Sequence, residues 1–185
     1  MKRLTVLASV LVSAAVALAA DPGYTCSMKV GNPKNDSKVE KPKDKGGSRG
    51  RSSTQTKTMK QKLTWAVKVS FRGKSIPNEG LKLKCFAIGT TNDEPAILNS
   101  QEIEIKLDEK GDFSYEYAPP EMTQTKTKKQ SGKGSTTTVK GDRISGCVIQ
   151  LLVGNEVKRS FATKSTWAKL AAKDPLPEEE ILKFR

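Results

Sequence analysis

Trp65, Val67, Val69 and Phe71 alternate with Ala66, Lys68 and Ser70. Successive strand side chains point to opposite faces, so this spacing predicts a strand with one buried side. The pattern recurs along the chain. Leu81, Leu83, Cys85 and Ala87 oppose Lys82 and Lys84 after a turn over residues 73–79. Ile97 and Leu98 open a third element beyond a polar turn at 90–95, and Ile103, Ile105 and Leu107 alternate with Glu102, Glu104 and Lys106. A turn cluster at 108–112 leads into Phe113, Tyr115 and Tyr117, and Pro119-Pro120 ends that strand. Cys147, Ile149, Leu151 and Val153 share one face of a strand from about Ile144. Gly154-Asn155 then signals a hairpin whose return strand runs over 156–162.

No helical period separates these strands. The expectation is an all-β chain, an immunoglobulin- or fibronectin III-like β-sandwich of about seven strands. Helical signals come only at the end. Ser165 is placed to cap a helix over 166–172, and Pro177 opens a second with Glu178, Glu179 and Glu180 in its first turn.

The first twenty residues follow neither pattern. Met1-Lys2-Arg3 is a basic head, residues 4–17 are an uncharged apolar run, and Ala17-Leu18-Ala19-Ala20 offers small residues before Asp21. This is the layout of a secretory signal peptide, with mature chain expected from Ala20 or Asp21 and no membrane span after cleavage. The organisation read from the chain is a signal peptide (1–20), a flexible basic linker (21–53), a sandwich domain (54–164) and a short helical tail (165–185). Tyr24, Cys26, Met28 and Val30 suggest one short strand near the start of the linker. A basic hairpin insert occupies 121–143 of the domain. The expected location is the periplasm or the extracellular space.

Charge is unevenly placed. Residues 34–62 carry a net of +7 and residues 121–143 a net of +4, which is the whole surplus left once Lys2 and Arg3 are removed. Each basic segment contains one copy of an octapeptide. Thr54-Gln55-Thr56-Lys57-Thr58-Met59-Lys60-Gln61 returns as Thr123-Gln124-Thr125-Lys126-Thr127-Lys128-Lys129-Gln130, identical at seven of eight positions. Alternating Thr and Lys favour extended backbone but supply no apolar face, so the copies read as exposed ribbon or strand extensions. Lys57, Lys60, Lys62, Lys126, Lys128, Lys129 and Lys133 are the candidate contacts for an anionic glycan or envelope polymer. The competing reading is a solvated face with a compositional bias. Neither segment contains Phe, Tyr or Trp, so stacking on nucleic-acid bases is unsupported and no specific nucleic-acid partner is expected.

Catalytic signals are few. The chain has no histidine, which removes the usual general base near neutral pH and most zinc sites. The stretch 131–136 resembles a phosphate-binding loop but lacks the first glycine at the required spacing and the Gly-Lys-Ser/Thr ending. Glu102 and Glu104 belong to a strand's solvent side, and 108–112 lacks the ligand count of a calcium loop. No catalytic residue, cofactor or metal site is expected. Cys85 and Cys147 both fall on apolar strand faces, so either a disulfide across the sandwich or two buried thiols is consistent with the pattern.

With strands and octapeptides placed, residues 52–172 resemble small, uncharacterised exported bacterial proteins with a fibronectin III- or immunoglobulin-like domain. The likeness lies in a Ser/Thr/Lys-rich lead-in (52–62), Gly80-Leu81-Lys82-Leu83, a Lys/Gly-rich insert (126–140), a closing hairpin (144–161) and a Ser-containing tail helix (165–170). It implies the sandwich fold and export, and brings no activity or site residue. The leading expectation is therefore an exported, non-enzymatic binding or structural module whose partner is an anionic polymer or another envelope protein. The rival is an unfamiliar His-free periplasmic enzyme or its accessory domain.

Overall fold

A computed structural model describes residues 23–40, 53–77, 79–131 and 134–183. The expected signal peptide and residues 21, 22 and 41–52 of the expected linker lie outside these residues. In chain order the strands are β1 (Tyr24–Val30), β2 (Lys34–Asn35), β3 (Lys38–Glu40), β4 (Ser53–Gln61), β5 (Leu63–Gly73) and β6 (Leu81–Thr91). Next come β7 (Glu94–Glu104), β8 (Asp112–Tyr117), β9 (Met122–Ser131), β10 (Gly134–Val153) and β11 (Glu156–Ala162). Helices α1 (Ser165–Ala168) and α2 (Glu178–Leu182) flank a 3₁₀ turn at Leu170–Ala172.

The chain is mostly β, in two antiparallel sheets with a short helical C-terminus. β5 is the spine of the first sheet, with β1 and β2 along one side and β8 along the other. The second sheet runs β7–β6–β10, and β11 pairs with the last residues of β10. Residues 34–40, expected as linker, carry two short strands, because β2 finds a partner in β5 and β3 in β4.

The period-two residues form the core. Trp65, Val67, Val69 and Phe71 of β5 pack against Leu83, Cys85 and Ala87 of β6 and Cys147, Ile149 and Leu151 of β10. The Tyr117 ring stacks on Trp65 at 5.8 Å, and its hydroxyl donates to Asn99 Oδ1 at 3.0 Å. The second sheet is also covered on its far side. Phe86, Ile88 and Val148 lie beneath Trp167, Leu170, Ala171, Leu176 and Ile181. The C-terminal segment is thus a cap on the outer face. Ser165 does not cap α1; Lys164 holds that position, and the expected single helix splits into α1 and the 3₁₀ turn.

The cysteines do not bridge the two sheets. Cys26, Cys85 and Cys147 are free and buried. Cys85 lies opposite Ile149 and Cys147 opposite Ala87, so the two are diagonal neighbours on adjacent strands of one sheet. The α-carbons of diagonal positions stand about 7–8 Å apart, beyond the roughly 4.4–6.8 Å between α-carbons that a disulfide spans. Burial pushes the Cys85 and Cys147 thiols up to about 12 and that of Cys26 to about 11. In the folded protein these thiols stay neutral while those of the unfolded chain ionise near 9. Stability is therefore expected to be level with respect to these groups below about pH 9 and to fall as pH rises from there towards 12. Urea midpoints at pH 7.5 and pH 10.5, compared with a C85A/C147A variant, check this. The wild-type midpoint should drop more between the two pH values than the variant's.

Candidate polyanion-binding arm

Leu63 at the start of β5 and Met122 at the start of β9 still supply buried side chains to the core. Beyond them, along β4 and β9, the sequence stops supplying any. Within 54–60, 123–130 and 135–140 the only aliphatic or thioether side chains are Met59 and Val139. A strand without an apolar side cannot enter a core, so these residues continue as a ribbon joined to strands that are packed. β10 supplies the continuity. Its 20 residues run from the ribbon, where 134–141 pair with β9, into the sandwich, where 142–153 pair with β6. β4 pairs with β9, and β3 adds three residues to the outer side of β4.

The octapeptide copies are each other's partners. Lys57 stands directly opposite Lys126, its own counterpart in the repeat. Antiparallel pairing then relates the rest by a local two-fold: Thr56 faces Thr127 and Thr58 faces Thr125. Their hydroxyl oxygens lie 3.5 and 3.4 Å apart across the strands. The duplication is thus structural as well as sequential.

Strand alternation separates the ribbon into two unlike faces. One carries Gln55, Lys57 and Met59 of β4, Gln124, Lys126, Lys128 and Gln130 of β9, and Thr137 and Val139 of β10, with Val39 beside Met59. It has no carboxylate among the described residues. The other carries Thr54, Thr56, Thr58, Thr123, Thr125, Thr127, Thr136 and Thr138, with Lys38, Lys60, Lys129 and Lys140 around them and Glu40 at one side.

The predicted lysines therefore divide. Lys57, Lys126 and Lys128 share the first face; Lys60 and Lys129 share the second. Lys62 lies between β4 and β5 at the base of the ribbon, and Lys133 lies outside the described residues. Lys38 and Lys140 join the second face without having been expected there. Lys38 falls in a segment whose composition reads as linker, and Lys140 follows a threonine run that gives no register. Among the described residues, none of the ribbon lysines is within ion-pair distance of a carboxylate.

Two polar clasps hold the ribbon to the sandwich. The Asn92 backbone N–H donates to Gly141 O, and the Gly141 N–H donates to Asn92 Oδ1, both at 2.9 Å. Gln61 Nε2 donates to Ile144 O at 3.1 Å, and the Ile144 N–H donates to Gln61 Oε1 at 2.8 Å. Gly141 itself has φ +90°, and a β-carbon there would come within 2.2 Å of Thr123 O. Only glycine tolerates that joint.

A shallow cavity of about 150 Å³ sits elsewhere, between the C-terminal cap and the β6–β7 turn, lined in part by Ile88, Asp93, Lys164, Trp167 and Ile181. Among the described residues, no helix is long and apolar enough to cross a membrane. No family model, curated protein or solved structure matches the chain.

Proposed function

We propose that this is an exported, non-enzymatic binding module that holds an anionic polymer of the cell envelope through its basic ribbon. One observation carries the reading: the two charged octapeptides, 69 residues apart in sequence, pair into a single surface with a carboxylate-free face. Charge gathered from distant parts of a chain onto one projecting element is suited to a polyanion, whose bound counterions are released on contact. Export rests on the signal-peptide layout of residues 1–20. The strand order supports a fibronectin III-like sandwich as the body: β1–β5–β8 in one sheet and β7–β6–β10–β11 in the other. The arm then extends the strands at one end of that body.

Replacing Lys57, Lys60, Lys126, Lys128 and Lys129 with Gln removes five charges without touching a core contact. Each change should alter stability by no more than about 0.5 kcal/mol. The variant is expected to remain folded and to elute from a heparin matrix at much lower salt than the wild type. Equal retention of the two proteins at low salt would overturn the proposal.

A further inference from the structure

Resting on that reading, we infer that the ribbon binds with one face only: an anionic polysaccharide lies across the Lys57–Lys126–Lys128 face, and the threonine face is not a contact surface. Like charges set directly opposite on neighbouring strands repel each other. Lys57 and Lys126 are such a pair, and their face offers no carboxylate among the described residues to offset them. Lys38 and Lys60 also stand opposite each other on the threonine face, but Glu40 lies on that same face. Both faces carry a net of +3, from three lysines on the first and from four lysines and Glu40 on the second, but only the first gathers its charge on neighbouring central positions with no carboxylate among the described residues.

The spacing suits a polymer. Neighbouring strands are about 4.8 Å apart, and residues two apart along a strand about 6.8 Å. The backbone sites of Lys57, Lys126 and Lys128 thus form a triangle with sides of roughly 5–8 Å, small enough to meet successive anionic groups of one chain. Gln55, Gln124 and Gln130 surround the triangle. Their amides both donate and accept, as sugar hydroxyls require of a partner. On the opposite face the central threonine hydroxyls face one another, and the lysines stand at the margins.

The chemistry favours a polysaccharide over a nucleic acid. Within 54–60, 123–130 and 134–141 there is no aromatic side chain for base stacking and no arginine to grip a phosphodiester bidentately; Arg143 of β10 lies past the Gly141 joint, opposite Thr90 of β6. Lysine ammonium groups with amides between them match isolated sulfate or carboxylate groups on a hydroxylated backbone.

Two charge-matched variants of the full mature chain test this: K57Q/K126Q/K128Q and K60Q/K129Q/K140Q. Binding to heparin is titrated at several salt concentrations, with single-stranded DNA as the competing class, and thermal melts establish that both variants fold. The first triple is expected to weaken heparin binding at least tenfold at low salt and to lower the magnitude of the log–log salt slope by about two. The second triple should stay within threefold of the wild type. Equal weakening by both would overturn the one-face inference while leaving the polyanion function standing. No weakening by either triple or by the combined six-lysine variant would remove the function as well. Tighter binding of DNA than of heparin would overturn the polysaccharide assignment.

Discussion

Trp167→Ala is expected to destabilise the protein by about 3–5 kcal/mol, the range for removing a large buried aromatic side chain. Trp167 is 1% exposed and lies in the cluster that roofs Phe86, Ile88 and Val148. Gly146 leaves room for the ring: a β-carbon there would stand 3.0 Å from Trp167 Cζ3. The Lys164 ammonium covers the ring at 4.7 Å from its centroid. Beyond Trp167, the cap is tied down by two polar contacts. Gln150, fully buried, donates through Nε2 to Ala171 O at 2.9 Å and Lys173 O at 2.6 Å. Lys84 Nζ bonds both oxygens of Asp174, at 2.8 and 3.0 Å. Removing the indole leaves these contacts to hold a segment with a hole beneath it. Urea unfolding should show the loss, and limited proteolysis should cut after Lys164 faster than in the wild type. A midpoint shift worth less than about 1 kcal/mol would mean that the cap is not part of the cooperative fold.

Gly141→Ala should release the arm while leaving the sandwich intact. The backbone at this joint has φ +90°, and the new β-carbon would meet Thr123 O at 2.2 Å, a backbone atom that cannot swing aside. A strained backbone of this kind costs about 1–3 kcal/mol, and relieving the clash must break the Asn92–Gly141 clasp or the end of the β9–β10 ladder. Amides of 124–130 and 135–140 are expected to exchange with solvent roughly tenfold to a hundredfold faster. Those of β5 and β6, whose packing does not involve the joint, should keep their protection. Unchanged exchange in the arm would show that Gly141 is not its hinge.

The strands around Trp65, Leu83, Phe113 and Ile149 are legible in the residue pattern, because one-sided burial forces an apolar residue at every second position. β6 and β10 hold a further signal: Cys85-Phe86-Ala87-Ile88 and, Gln150 apart, the run 147–153 are apolar on both parities, as strands covered on both faces must be. That signal calls for a layer over the second sheet. It does not say which segment provides it. Trp167, Leu170 and Ala171 share one side of a helical turn, but Leu176 and Ile181 are spread through a polar stretch with no common period, and only docking makes the segment a layer of core.

The arm divides in the same way. Composition alone determines that residues 54–60, 123–130 and 135–140 stay outside the core, because burial is driven by apolar area and they have almost none. The repeat itself is also plain in the sequence. That the two copies pair with each other, with Lys57 against Lys126, is decided by tertiary structure, since a strand without an apolar face carries no preference for register. The register is imposed from outside, by β5 and β10 anchored in the sandwich and by the clasps at Gln61 and Asn92. The same distinction governs Cys85 and Cys147. Their burial follows from the faces they occupy, but their relation to each other follows from β6 and β10 being neighbours, and adjacency of strands is a property of the packed chain alone.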